Sequence, residues 1–341
     1  FREQAPISVV APYGTSWVFR FADVRTVLDD QVTYTKHLPG TGGPGPAAPG
    51  SGVFGMGSNL PSGLFASDPP RHTELRAVLE PLFGAAIAPA PQIAEVAAEK
   101  LLAGLSGRQF ELVTSYALPL PSAVLFTILG IPEDHWPVLI QWVQTIASAH
   151  DITQAITARM LGATCSMALD QYLADWIAQC QAAPPGPGLI GALCGAIGAG
   201  GLTAQDVQVV LNDFIVAGYL STTFLIGTGL VHLLENPDQL ALLRSKPELM
   251  ANAVEEMLRM DAPAQLVDRV VAADTELGGT ALKAGTKLTV VLGSADRDPD
   301  GFTNPDTFDI QRDDSSQLSF GAGIHHCIGA PLVRLVAPVA I

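Results

Sequence analysis

The chain is poor in cysteine, and no two of its four, Cys165, Cys180, Cys194 and Cys327, form a CxxC pair. That excludes a small disulfide-stapled scaffold and a CxxC-type zinc or redox site, and it fits a reducing compartment. Charge is also sparse, at 15% of residues, and lopsided: 18 basic against 33 acidic side chains give a formal net charge of −15. A field of that sign repels phosphate backbones and anionic lipid, so neither nucleic acid nor a membrane surface is expected as the main partner. A local basic patch that docks an acidic protein remains compatible with it. No stretch supplies the roughly 18 unbroken apolar residues of a membrane span. The opening FREQAPISVV lacks the basic region and long apolar run of a signal peptide. These absences predict a cytoplasmic chain with no membrane span.

What is present is apolar bulk. Hydrophobic residues make up 48% of 341 positions, with 33 Gly and 26 Pro. So little charge on so long a chain points to extensive buried helix surface or a buried apolar cofactor. No composition shift or fixed-period repeat divides the sequence, which reads as a single domain over 1–341. It stops on the apolar LVRLVAPVAI without a polar cap, so that domain is expected to be incomplete at its C-terminal end.

The pattern predicts a mainly α fold with small β-sheets. SWVFRFADVRTVLDD reads as a short strand followed by a helix. Residues Gly40 to Gly63 form a Gly/Pro/Ser-rich loop. Its GTGGPG matches a dinucleotide fingerprint in letters only, since no strand precedes it, Pro44 interrupts it and no helix follows. Helical periodicity dominates from Arg71. Thr203 and Asp206 form a capping pair, and Asn236-Pro237 closes a run of about thirty residues, nearly 45 Å of helix at about 1.5 Å per residue. Beyond Asp213 that run is apolar or small on every side, as in a helix at the centre of a domain. NPDQLALLRS and PELMANAVEEMLRM are further helices. LVDRVVAADTELGGTALKAGTKLTVVL alternates like short strands turning at Gly278-Gly279 and Ala284-Gly285.

The segment SFGAGIHHCIGAP, Ser319 to Pro331, sets Cys327 among glycines where a loop feeds a helix, with Pro331 suited to the first turn. Helix-terminal amides and dipole favour a thiolate there. Gly321, Gly323 and Gly329 remove side chains, so backbone can approach a large flat group. A single thiolate without companion ligands suits an axial bond to haem iron. A buried free cysteine is the bland alternative. A zinc site from His325, His326 and Cys327 fits worse, because consecutive residues rarely converge on one ion.

SFGAGIHHCIGAPLVRL resembles the haem-binding signature of the cytochrome P450 family, Phe-Gly-x-Gly-x-His-x-Cys-x-Gly, with every position filled. EEMLR, DPDGFTNPDTFDIQR, DPPRHTELR, LPLPSAVLFTILGIPEDH and LVDRVV resemble further segments of that family, in its order, from about Trp17 to Leu335. The resemblance implies a P450-like helical fold with a long central helix across haem b (iron protoporphyrin IX). It makes Cys327 the iron ligand, shielded by Phe320 and Gly321. It implies that His72, Arg76, Arg269 and His325 hold the propionates, and that Glu256, Arg259 and Arg312 form a buried charge cluster behind the loop. Read alone, His72 and Arg76 are an ordinary exposed i, i+4 pair, and Glu256 with Arg259 a surface ion pair. Ala217 and Gly218 give haem and oxygen room.

Two positions depart from the family. Its Ala-Gly-x-acid-Thr-Thr is AGYLST here, so Leu220 stands where an acid relays protons and Ser221 where a threonine hydroxyl orders water, followed by Thr222. A serine at that place also has a purely helical role, bonding back to a carbonyl. Val336 stands where the family often has an acid. The pocket is expected from the Gly40 to Gly63 loop, Phe214, Ala217 and the segment Ala264 to Val267, including Leu266. That lining predicts an apolar small-molecule substrate. By resemblance the activity is a monooxygenase using dioxygen, with a ferredoxin and its reductase docking near Cys327. The alternatives are a haem-thiolate enzyme driven by peroxide or catalysing coupling or rearrangement, or a non-catalytic haem or ligand-binding member.

Overall fold

Residues of β propensity in ISVV and TSWV form strands β1 (Ile7–Val10) and β2 (Thr15–Val18), paired antiparallel with Ser8 opposite Trp17. The structure, a computed structural model, describes residues 1–10, 14–37, 63–107, 109–149, 156–183, 186, 188–198, 201–313 and 316–341. The GTGGPG segment and all of the Gly40 to Gly63 loop except Gly63 itself therefore lie outside the described residues.

After β2 come helix α1 (Phe21–Asp29) and strand β3 (Tyr34–Thr35). Helices α2 (Arg71–Ala86), α3 (Ala90–Gly104), α4 (Pro119–Leu129), α5 (Trp136–Ala149), α6 (Ile156–Ala182), α7 (Gly188–Gly195) and α8 (Ala204–Gly218) follow. Next are α9 (Leu220–Glu235), α10 (Pro237–Ser245) and α11 (Met250–Met260). Strands β4 (Leu266–Val271), β5 (Thr275–Leu277), β6 (Thr280–Leu282) and β7 (Lys287–Val291) precede α12 (Leu292–Ala295) and α13 (Ala330–Ala340). The mainly helical reading with small sheets holds. The elements gather into two compact units, Phe1–Gly40 with Ser221–Ile341, and Thr41–Leu220.

The first unit carries a five-stranded sheet of order β1-β2-β7-β4-β3, in which β2 and β7 run parallel and the other pairs antiparallel. On it lie Val24, Val27 and Leu28 of α1, packed with Val18, Leu288, Val290, Leu318 and Ala322. A second core joins Leu225 and Leu233 of α9 to Met257 and Leu258 of α11, Phe308 and Ala337. The hairpin β5–β6 turns at Gly278 and Gly279, both at positive φ, where the sequence places its turn.

The second unit is helical. Both halves of the capping box form: Thr203 Oγ1 accepts from the Asp206 amide at 3.1 Å, and the Asp206 carboxylate accepts from the Thr203 amide at 2.8 Å. Arg71 pairs with Asp206, tying the starts of α2 and α8 together. The expected run of about thirty residues spans Ala204–Glu235, with one break at Tyr219 (φ −112°) that divides it into α8 and α9. The cause is local. A Cβ on Gly218 would lie 2.9 Å from Leu125 Cδ2, so α8 meets α4 closely there. Tyr219 is fully buried, edge-on to Phe126, and its hydroxyl donates to the Ile140 carbonyl at 3.2 Å. One stretch among the described residues nonetheless has the length of a membrane span. Ala204–Glu235 is long and apolar enough by length and averaged composition, and half of its most apolar window is buried inside the fold. Its Gly, Ser and Thr residues break an unbroken apolar run without lowering the average enough to fail.

Candidate functional site

The Cys327 loop belongs to the first unit, and its shape rests on two left-handed glycines. Gly321 has φ +69° and Gly323 φ +64°, and a Cβ on Gly323 would run into the Leu28 carbonyl oxygen of α1. The Gly321 amide donates to the Leu318 carbonyl at 2.7 Å, and the Cys327 amide to the Phe320 carbonyl at 2.9 Å. The latter bond closes the loop on itself. Gly329 is different: a Cβ there would sit 3.5 Å from Cys327 Sγ, an ordinary contact, so close approach does not require glycine at that position. Cys327 is exposed, and its carbonyl accepts from the Ala330 amide at 3.3 Å as the chain enters α13, with Pro331 in the first turn.

Polar side chains that sequence reasoning passed over hold this loop from below. The Ser319 amide donates to Gln317 Oε1 at 2.6 Å, and Gln317 Nε2 donates to Glu255 Oε2 at 3.0 Å. Arg334 of α13 donates to both oxygens of Glu255, at 2.6 and 3.1 Å, and its guanidinium lies 4.8 Å from the Phe320 ring centroid. Burial raises the Glu255 pKa, but hydrogen bonds from Arg334 and Gln317 outweigh it and hold the carboxyl below its ordinary range. Glu255 bonding chiefly raises the Arg334 pKa, and attraction to Cys327 adds to it, so a cation stands near the sulfur. The signal available in sequence was the Glu255-Glu256 doublet on one amphipathic helix, where neighbours face different directions.

Glu256, Arg259 and Arg312 come together as expected. Arg259 Nε and Nη2 donate to the two Glu256 oxygens at 2.7 and 2.8 Å, and Arg312 Nε donates to Glu256 Oε2 at 2.9 Å. Glu256 and Arg259 are buried, so the surface-pair reading is corrected: an amphipathic helix has turned two charges inward because each finds partners. The cluster's direct grip is on the segment after α12. Arg259 Nη1 donates to the carbonyls of Asp296 and Pro305 at 2.8 and 2.7 Å, and Arg312 to those of Thr303, Asn304 and Thr307. A polar surface groove of about 410 Å³ lies on that side, lined by Thr303, Asn304, Asp309 and Arg312 among others, and Cys327 does not border it.

Elsewhere in this unit, Arg269 is buried on β4, with Nη1 donating to the Asp268 carbonyl at 2.8 Å. Leu266 and Val267 are neighbours on that strand and face opposite sides; Val267 shares its side with Arg269 and packs on the sheet core. His325 is half-buried in the turn Gly323–His325. Ser221 is half-buried and Thr222 buried at the start of α9.

In the second unit, His72 is buried, at 2% exposure, which corrects the reading of an exposed pair with Arg76. Arg76 Nε instead donates to Glu80 Oε1 at 2.5 Å, one turn further along α2. On α8, Phe214 stacks on Phe83 at 5.0 Å, and Ala217 is exposed. One turn before Ala217 lies Asp213, whose carboxyl accepts from the amides of Phe65 and Leu64, while a Cβ on Gly63 would collide with Oδ2. Burial pushes the Asp213 carboxyl up to about 7 against the pull of those amides.

Among the described residues no three His, Cys, Asp or Glu side chains gather into a metal-binding group. The donor set at Cys327 is one exposed thiol with the Arg334 cation near it, just before a helix start, which fits a single sulfur ligand to haem better than a zinc site. Residues 189–340 match the family model described as Cytochrome P450. Over 349 aligned residues the chain is 31% identical to the 6-deoxyerythronolide B hydroxylase of Saccharopolyspora erythraea, spanning all of this chain and 85% of that one. The chain belongs to the cytochrome P450 family. It is also 32% identical to the nocardicin C N-oxygenase of Nocardia uniformis, over 99% of this chain and 84% of the relative. Among solved structures, P450BioI in complex with an acyl carrier protein ligated to hexadec-9Z-enoic acid superposes with a TM-score of 0.88 at 28% identity, over 99% of this chain and 87% of that one. The chain is thus a P450 oxidoreductase, and haem is the cofactor its family implies.

Proposed function

We propose that this P450 is a monooxygenase that uses dioxygen at a Cys327-ligated haem b to hydroxylate or epoxidise an apolar organic substrate. The observation that carries the reading is the exposed Cys327 thiol on a loop closed by its own amide and backed by Arg334. Haem supplies the redox chemistry of oxygen activation; the protein supplies ligand, orientation and exclusion of water. Cys327 would hold the iron through its sulfur, with Phe320 and Gly321 beside it. Buried Arg269 and His72, with His325 and Arg76, are the cations and imidazoles assigned to the propionates. Ala217 and Gly218 keep α8 thin where the substrate and oxygen meet. The Ser221 hydroxyl holds a water there and passes a proton, with Thr222 behind it. Phe214 and Ala217 of the second unit, and Leu266 of the first, are the apolar residues assigned to the substrate, while Val267 packs on the sheet core instead. Electrons come from a ferredoxin and its reductase, and the cytoplasm supplies both.

Leu220 favours a second reading. A leucine carries no proton to relay, so a peroxide-driven oxidation that bypasses the relay is the rival. Reduced, carbon monoxide-bound protein is expected to show the strongly red-shifted Soret band of a thiolate ligand, lost in Cys327→Ala. Product formation with ferredoxin, reductase and NAD(P)H supports the monooxygenase; product with hydrogen peroxide and none with that electron supply overturns it.

A further inference from the structure

The structure assigns Asp296 a role as a positioning residue for the Cys327 loop, exerted as a neutral carboxylic acid. The assignment rests on the haem-thiolate reading above for its consequence, and on geometry for its substance. Asp296 directly follows α12 and is fully buried. Its carbonyl accepts from Arg259, which joins it to the charge cluster, and its side chain faces the opposite way, toward the loop. There Oδ1 accepts from the Leu318 amide at 2.7 Å, and Oδ2 lies 3.0 Å from Ser319 Oγ.

Proton counting fixes the acid's state. Ser319 Oγ lies 2.6 Å from the Leu258 carbonyl as well as 3.0 Å from Asp296 Oδ2, and a hydroxyl has one hydrogen for two oxygens. Leu258 is in the last turn of α11, where carbonyls lack a helical partner, so the shorter contact takes that hydrogen. Oδ2 must then bring its own. Protonated Asp296 donates to Ser319, which donates to Leu258, and every group is satisfied; ionised Asp296 leaves two lone pairs facing each other in a dry site.

The charged groups facing the acid are Arg259 from α11 and Arg297 next in sequence. Their donors are committed elsewhere: Arg259 to Glu256, Pro305 and the Asp296 carbonyl, and Arg297 to the Met260 carbonyl and Asp306. Burial raises the carboxyl against the pull of the Leu318 amide, the Ser319 hydroxyl and these two cations, and leaves it up at about 7. From Asp296 the bonds run on to the sulfur loop: the Leu318 carbonyl takes the Gly321 amide, and the Phe320 carbonyl takes that of Cys327. The cluster that the family resemblance places behind the loop therefore reaches it through this acid, beside the direct bond from Ser319 to the Leu258 carbonyl of α11.

Asparagine reproduces the arrangement without a titrating proton, since its oxygen accepts from Leu318 and its amide donates to Ser319. Alanine removes both bonds. The test compares wild type, Asp296→Asn and Asp296→Ala as holoprotein between about pH 6 and about pH 9, spanning the shifted carboxyl. It reads the fraction of the red-shifted carbonyl band and amide hydrogen exchange at Leu318 and Cys327. In wild type the red-shifted fraction is expected to fall, and exchange to quicken beyond ordinary base catalysis, as pH rises through about 7. The asparagine variant stays flat at the wild-type acid-side level, and the alanine variant exchanges about tenfold faster throughout. Asparagine behaving like alanine, or alanine behaving like wild type, overturns the assignment. Absence of the red-shifted band in wild type at every pH instead refutes the haem-thiolate reading, and the exchange data still decide the role of Asp296.

Discussion

Glu256→Ala removes the one carboxylate that two arginines share, and its cost can be worked from the contacts. Glu256 accepts from Arg259 Nε and Nη2, from Arg312 Nε and from the Asp309 amide, all between 2.7 and 2.9 Å. Arg259 stays behind at 1% exposure. Breaking a buried ion pair from one side costs about 3–5 kcal/mol, because the remaining charge, though still bonded to backbone carbonyls, has neither counter-charge nor water. The orphaned Asp309 amide adds about 1–3 kcal/mol. A loss of about 4–8 kcal/mol approaches the whole stability of an ordinary domain, about 5–15 kcal/mol. Arg312→Ala is the control: it leaves the Arg259–Glu256 fork intact, and the carbonyls it frees lie at the surface and find water, so about 1–3 kcal/mol is expected. Urea denaturation followed by haem absorbance and circular dichroism measures both. The reasoning fails if Glu256→Ala unfolds at a urea midpoint equal to or above that of Arg312→Ala.

Two further outcomes follow from the same geometry. Gly323→Ala meets both a left-handed backbone and the Leu28 carbonyl, so it is expected to cost at least about 1–3 kcal/mol, while Gly329→Ala, with helical φ and an open Cβ position, costs under about 1 kcal/mol; equal thermal shifts would count against the account. Asp213 binds its proton more tightly folded, at about 7, than at its ordinary value of 3.8, so its stabilising share is complete below about pH 4 and lost as pH rises through about pH 7. Asp213→Asn is therefore expected to flatten the decline of urea midpoint over that window by up to one proton, and an unchanged slope refutes the buried-acid reading.

Much of this was readable in the sequence where the physics is local. The capping box at Thr203, the turn at Gly278-Gly279, the proline at the start of α13 and the Cys327 loop each depend on residues within a few positions of one another. The break at Tyr219 was not readable. AGYLST shows small residues, but only the approach of Leu125 and the reach of Tyr219 to Ile140 make that place the end of one helix and the start of another. His72 reads as a surface histidine because its burial is set by the packing of whole helices. Asp213 reads as the last polar residue before an apolar run, and nothing local announces that it caps a turn near Leu64, about 150 residues earlier.

The same division explains the site. Glycines at 321 and 323 permit the loop's shape, and a signature of ten positions can record them because permission is a property of each residue alone. Holding that shape needs acceptors that the loop does not contain. They arrive from Glu255 on α11 through Gln317, with Arg334 of α13 donating to Glu255, and from Asp296 after α12, separated from Ser319 by 23 residues in the last case. Glu255 and Arg334 fall inside quoted segments but at positions those segments give no role, and Asp296 falls outside them, so each looked like an ordinary charged residue on a helix or turn. A loop with its glycines intact and its distant acceptors removed keeps every letter of the signature, yet nothing holds Cys327 at one position. The grip on the sulfur is thus a tertiary property, and substitutions at 255, 296 or 334 are where it separates from the motif.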